Sequence, residues 1–202
     1  MATRYVALGD SYTIGTSVEA SQRFPNQLVV ALAAAGLQLD LVANLWVNGY
    51  TSADLIRDEL PALQGLRPEF VTVLIGVNDV VQGVPAEAYE RNAGMILDAV
   101  VDCLPPERVV AVAIPDYTVT PAGADYGDPD DQHDAIVANN TIMARLAAAR
   151  GIAFVDIFDL SMEAAADRSL VADDGLHPSG EQYRLWVERI APVALQRMTG
   201  TG

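Results

Sequence analysis

The chain has 202 residues, 51% hydrophobic and 19% charged, with 27 acidic against 12 basic side chains and a formal net charge of -15. That length supports one domain with a sizeable core, and that composition excludes a disordered chain. The negative charge argues against binding DNA, RNA or an anionic membrane through electrostatics, and favours neutral or cationic small molecules as partners.

The single cysteine, Cys103, excludes an internal disulfide. Its neighbours Val100, Val101 and Leu104 suit a buried structural thiol. There is no run of 18 apolar residues to form a transmembrane helix. Met1-Ala2-Thr3-Arg4 runs straight into the first expected strand and leaves no room for a signal peptide, so a cytoplasmic location is expected.

Residues 4–9 read as a short buried strand that stops at Gly9-Asp10-Ser11. A helix is expected at 22–36, with Pro25 in its first turn, Gly36 as its stop, and Leu28, Val29, Leu32 and Ala35 at helical spacing. Residues 38–44 form a second strand, followed by a loop through Asn48-Gly49-Tyr50. Thr51 or Ser52 then caps a helix at 52–60. Residues 69–75 are apolar and β-branched, as in a strand covered on both faces; the run ends at Gly76-Val77-Asn78-Asp79. A helix at 86–103 follows Pro85. A fourth strand, 107–114, is closed by Pro115, and an irregular stretch follows at 115–131. A helix at 132–149 ends at Gly151. A fifth strand at 152–156 leads through a mixed segment, 157–173, to a last helix at 179–197.

This alternation, without repeats or linkers, predicts one domain over residues 1–202. The expected class is α/β: a three-layer α/β/α sandwich around a five-stranded parallel sheet of flavodoxin-like order 2-1-3-4-5. Ligands bind such sheets beyond the carboxyl ends of the strands. The loops after strands one, two and three gather there.

Those loops and the C-terminal region hold the parts of a nucleophilic serine site. Ser11 offers the hydroxyl. His177, one of only two histidines, offers a base. Asp174, three residues upstream, can reach one imidazole nitrogen within a turn and leave the other free. Oxyanion donors are available at the Ser11 N–H, at the Gly49 N–H, which no side chain screens, and at the Asn78 side-chain amide. Each also has a plainer reading: Gly-Asp-Ser and Gly49 as turn residues, Asn78-Asp79 as a helix cap, His177 in a surface loop. His133, in an acidic segment, reads as surface or as a pocket rim.

The segments Gly9-Asp10-Ser11-Tyr12, Asn48-Gly49-Tyr50, Gly76-Val77-Asn78-Asp79 and Asp174-Gly175-Leu176-His177-Pro178 occur in the order of the four blocks of the GDSL, or SGNH, hydrolases. The chain resembles that family from residue 9 to residue 178. The resemblance implies hydrolysis of esters or thioesters without a metal or other cofactor. It implies Ser11 as nucleophile, His177 as base and Asp174 as its orienter, with an oxyanion hole of the Ser11 N–H, the Gly49 N–H and the Asn78 amide. Two residues depart from it. Tyr12 stands where the name-giving leucine would be, and bulky Trp46 precedes the second block, where many relatives carry a small residue.

Trp46 and Tyr117 are the expected substrate-pocket residues, with 116–131 bordering the acyl or alcohol side. Asp10 is expected to hold its loop by hydrogen bonds and not to transfer protons. The cluster Asp125, Asp128, Asp130, Asp131 and Asp134 lacks EF-hand spacing. No Gly-x-Gly-x-x-Gly or P-loop argues for a nucleotide. Tyr183 and Trp186 are expected to pack. The resulting expectation is a lipase-like serine esterase for short-chain acyl esters that works through an acyl-enzyme on a small-molecule substrate. The alternatives are a transacylase that uses an alcohol, or a non-catalytic binding module on the same fold.

Overall fold

Five strands, β1 (Thr3–Gly9), β2 (Leu39–Leu45), β3 (Phe70–Leu74), β4 (Val109–Val112) and β5 (Ala153–Val155), form one parallel sheet of order β2-β1-β3-β4-β5. The computed structural model describes residues 2–45 and 47–200. The helices are α1 (Ser11–Ile14), α2 (Phe24–Ala34), α3 (Ser52–Asp54), α4 (Leu60–Leu66), α5 (Val77–Val81), α6 (Ala86–Val101), α7 (Pro129–Ala149), α8 (Phe158–Met162) and α9 (Gly180–Thr199).

β1 lies inside the sheet, with Tyr5 paired to Leu41 on one side and to Phe70 on the other. Its Tyr5-Val6-Ala7-Leu8 run is fully buried. Successive side chains of a strand point to opposite faces, so an unbroken apolar run serves two cores. Tyr5 and Ala7 join Phe24, Leu28 and Trp186 under α2 and α9. Val6 and Leu8 join Leu55, Ile96 and Leu97 under α4 and α6. α7 contributes Met143 and Ala147 to the second core and Ile136 to the first. The expected three layers and strand order are present.

Several boundaries differ from expectation. The helix expected at 52–60 continues through a π-turn at Leu55–Glu59 into α4. The cause is Pro61, which has no N–H to donate and crowds the turn before it. The helix expected from 132 begins at Pro129, because Asp128 caps it by accepting the N–H of Asp130 at 3.0 Å. The acidic run there is therefore a cap and first turn, where the helix dipole favours negative charge. β4 is shorter than expected, since Pro106–Arg108 forms a 3₁₀ turn before it. β5 is likewise confined to three residues.

The π-turn has an electrostatic consequence, because Glu59 at its end is 3% exposed. Its Oε2 accepts the Gly9 N–H at 3.1 Å, while Oε1 is buried without a partner. Burial pushes this carboxyl up to about 9; the Gly9 hydrogen bond opposes the shift and the charges of Asp10 and Asp58 add to it. The folded chain therefore keeps a proton that the unfolded chain releases above the ordinary glutamate value of 4.5. The associated stability is complete below that value and is lost as pH rises toward 9. Glu59→Gln, uncharged at every pH, should raise Tm more at pH 8 than at pH 5. Thermal unfolding at the two pH values checks this; equal shifts at both would contradict it.

Candidate active site

The chain leaves β1 through a turn that only glycine permits. Gly9 sits at φ +154, and a Cβ there would lie 2.1 Å from the Leu74 carbonyl oxygen and 2.2 Å from Thr13 Oγ1. Asp10 then caps α1, its Oδ1 accepting the Tyr12 N–H at 3.0 Å. This matches the loop-holding role expected of it. Burial, with the nearby charge of Asp79, raises the Asp10 carboxyl to about 7 against the pull of the Tyr12 N–H. Ser11 is thereby placed at the first position of a helix, beyond the carboxyl edge of the sheet.

Asp174 and His177 come from the turn between Val171 and Pro178, which form an antiparallel bridge. Asp174 Oδ1 accepts the backbone N–H groups of Leu176 and His177, each at 2.9 Å. That pins the carboxylate, and its Oδ2 meets His177 Nδ1 at 2.6 Å. On the other side of the ring, His177 Nε2 lies 3.0 Å from Ser11 Oγ. The Tyr12 ring backs the imidazole at a centroid distance of 5.0 Å. Desolvation raises the Asp174 carboxyl, but hydrogen bonds from Ser17, from the Leu176 and His177 N–H groups and from the imidazole outweigh it and bring it down to about 2. It stays anionic across the ordinary pH range.

Gly49 has φ +85 in open space, so its backbone conformation, and not crowding, calls for glycine. Its carbonyl accepts Gln82 Nε2 at 3.0 Å. Asn78, on α5, donates from Nδ2 to the Tyr50 carbonyl at 2.9 Å. An amide nitrogen carries two hydrogens, so the second remains for another acceptor. Beside it, fully buried Asp79 accepts the Ser52 N–H at 2.8 Å and also the Ser52 hydroxyl. Three hydrogen-bonded links thus tie residues 49–52 to α5 and its C-cap residue Gln82. Burial raises the Asp79 carboxyl, and its Ser52 bonds oppose the shift.

Ser11, Gly49, Asn78 and His177 line one cleft of about 230 Å³, with Tyr117 in its wall. Asp174 stands behind the imidazole. Tyr126 meets the Tyr117 ring edge-on at 6.0 Å. Trp46, the other expected pocket residue, lies outside the described residues. A larger groove of about 890 Å³ between α2 and α9 contains none of these side chains. His133 does not line the cleft; its Nδ1 lies 2.6 Å from the buried Asp116 Oδ2 and its ring packs on Phe158. Tyr183 and Trp186 are buried in the core, as expected. Among the described residues, no group of three His, Cys, Asp or Glu is arranged to hold a metal, and no helix is long and apolar enough to cross a membrane. Sequence reasoning missed Ser17 and Gln82, which lie between or after the recognised segments and carry no signal of their own.

The fold is the three-layer α/β/α sandwich, with the cleft at the carboxyl edge of its parallel sheet. The sequence profile of the GDSL-like lipase/acylhydrolase family matches residues 7–185, and the chain belongs to that family. At family level it is a carboxylic ester hydrolase. No curated protein matches the sequence significantly. Among solved structures it is similar to TesA, with 23% identity and TM-score 0.75 over 96% of this chain and 99% of that one. It is also similar to the lipase/acylhydrolase of Enterococcus faecalis, with 20% identity and TM-score 0.77 over 98% and 97%. A third likeness is Axe2, an acetylxylan esterase from Geobacillus stearothermophilus, with 18% identity and TM-score 0.71 over 97% and 94%.

Proposed function

We propose that the protein is a serine esterase for small, short-chain acyl esters. The observation that carries the reading is the unbroken chain from Asp174 through His177 to Ser11, with links of 2.6 and 3.0 Å. In the mechanism, His177 Nε2 takes the Ser11 proton as Oγ attacks the ester carbonyl. The oxyanion accepts hydrogen bonds from the Ser11 and Gly49 N–H groups and from the free hydrogen of Asn78 Nδ2. His177 then gives its proton to the leaving alcohol, leaving an acyl group on Ser11. The same imidazole then takes a proton from a water molecule that attacks the acyl carbonyl, and returns it to Ser11 Oγ as the acyl–oxygen bond breaks and the acid leaves. Asp174 stays ionised throughout and holds the ring in the required tautomer.

The cleft volume of about 230 Å³ favours a short acyl group. One structural relative is an acetylxylan esterase, so an acetyl ester is the first to assay. Short-chain activated esters, acetyl to butyryl, should be turned over faster than octanoyl or longer ones.

Ser11→Ala should cut turnover of p-nitrophenyl acetate by roughly 10³ or more with the fold retained. Turnover like that of the wild type would sink the assignment. Asn78→Ala should lower kcat by about 10²–10³, the usual cost of one oxyanion donor. Unchanged kcat would reduce Asn78 to a clasp on the Tyr50 carbonyl.

A further inference from the structure

The turn after α1 reaches two other loops of the site. Gly15 closes α1 in a left-handed conformation, and Ser17 follows at φ +66. A positive φ in a residue with a Cβ is uncommon and strained, and persists where surrounding contacts over-determine it. Among the described residues the other non-glycine case is Arg67, which closes α4 as its cap. Ser17 closes no helix, so its conformation has another cause.

Its contacts supply one. Ser17 Oγ donates to Asp174 Oδ2 at 2.6 Å, the same oxygen that His177 Nδ1 meets at 2.6 Å. One residue earlier, the Thr16 N–H donates to the Ser11 carbonyl at 3.1 Å. Thr16 Oγ1 donates to Asn48 Oδ1 at 2.9 Å, next to Gly49. One turn therefore touches the residue of the hydroxyl, the loop of the oxyanion donor and the carboxylate.

We propose that Ser17 is a positioning residue for the Asp174–His177 pair: its hydroxyl fixes Asp174 Oδ2 and shares that oxygen's charge with the imidazole. The inference rests on the serine-esterase reading and names a further residue of the same site. Asp174 Oδ1 is held by two backbone N–H groups, so rotation about its terminal bond is already limited. Among the described residues Oδ2 is held by two side chains, Ser17 Oγ and His177 Nδ1, and of these Ser17 is the one outside the proton-transfer chain. Without it, the carboxylate turns its full charge on His177 and stabilises the imidazolium, so the base protonates at a higher pH. Ser17 is exposed, and water could fill its place, but that water would have to be immobilised anew, whereas the strained turn holds the hydroxyl in advance. Other ionisable groups bear on the pair. Tyr12 and Tyr183 both sense Asp174; Tyr12 also senses Asp10 and Tyr117, and Tyr183 senses Asp10 and Arg23. None of them changes in the variants below.

The test compares Ser17→Ala, Ser17→Gly and Ser17→Thr in the full chain. Alanine removes the hydroxyl and keeps the strain; glycine removes both; threonine keeps the hydroxyl in a still more strained conformation. For Ser17→Ala and Ser17→Gly alike, kcat on p-nitrophenyl acetate should fall roughly 3- to 10-fold with KM within about twofold. The acid limb of kcat/KM should move to higher pH in both, although Ser17→Gly melts at or above the wild-type Tm. Ser17→Thr should recover kcat despite a lower Tm. NMR titration of the two histidine rings provides a readout independent of ester turnover: His177 should titrate at higher pH in the alanine and glycine variants, with His133 as the internal control. Wild-type kcat with an unmoved His177 titration would overturn the proposal, as would activities that follow Tm instead of the hydroxyl. If the wild type hydrolyses no ester, the functional reading fails, and the His177 titration still decides the role of Ser17.

Discussion

The 3.0 Å contact between Ser11 Oγ and His177 Nε2 joins residues 166 positions apart in the chain. No local preference could bring them together; the packing of α9 does. Trp186 and Tyr183 are fully buried with Phe24 and Leu28 of α2. Each such side chain contributes about 1.5–3 kcal/mol, far more than the roughly 1 kcal/mol net of an ordinary hydrogen bond. The apolar docking of α9 therefore supplies the energy, and hydrogen bonds set the alignment. Tyr183 Oη donates to the Tyr12 carbonyl at 2.9 Å, and the Ser179 N–H to the Leu170 carbonyl at 2.8 Å. These fix the start of α9, and with it the turn of His177, against the turn of Ser11.

Behind the cleft stands a group of buried acids, Asp10, Glu59 and Asp79. Asp10 Oδ2 and Glu59 Oε1 are both buried without a partner. An unsatisfied buried polar atom costs about 1–3 kcal/mol. Asp79, equally buried, has its two oxygens satisfied by Ser52, which also accepts Asn92 Nδ2 at 2.9 Å. The contrast separates two tasks. Asp79 fastens the loop of Gly49 to α5, whereas Asp10 and Glu59 hold the backbone on either side of the β1 turn at Gly9. Local rules are broken where the chain must turn sharply to present Ser11, the kind of place where such breaches are expected.

Much of this was legible in the sequence. The β1 and β3 runs are apolar on both faces, which only a strand between two layers can satisfy, and the alternation with helices then leaves few topologies. Ser11 and Asn78 stand out because they follow strand ends, Gly49 because it lies in the loop after the second strand, His177 as one of two histidines, and Asp174 by its spacing from it. What stayed hidden has physical reasons. α1 and α5 are single turns, too short for a period to show. The π-turn comes from Pro61 acting on a helix whose pattern continues past it. Ser17 is invisible because its importance lies in a backbone angle and in a contact 157 residues away. The sequence reads His133 as surface or a pocket rim, and the ring is half-exposed, but spacing alone does not pair it with its buried partner Asp116.

The central claim is that these scattered groups act on one atom, Ser11 Oγ. Treating the folded protein with a fluorophosphonate and mapping the adduct by mass spectrometry tests this directly. One phosphonyl group per chain, on the peptide containing Ser11, with labelling much slower in His177→Ala, is the predicted result. An active enzyme that takes up no label, or takes it up on another serine, would contradict the account.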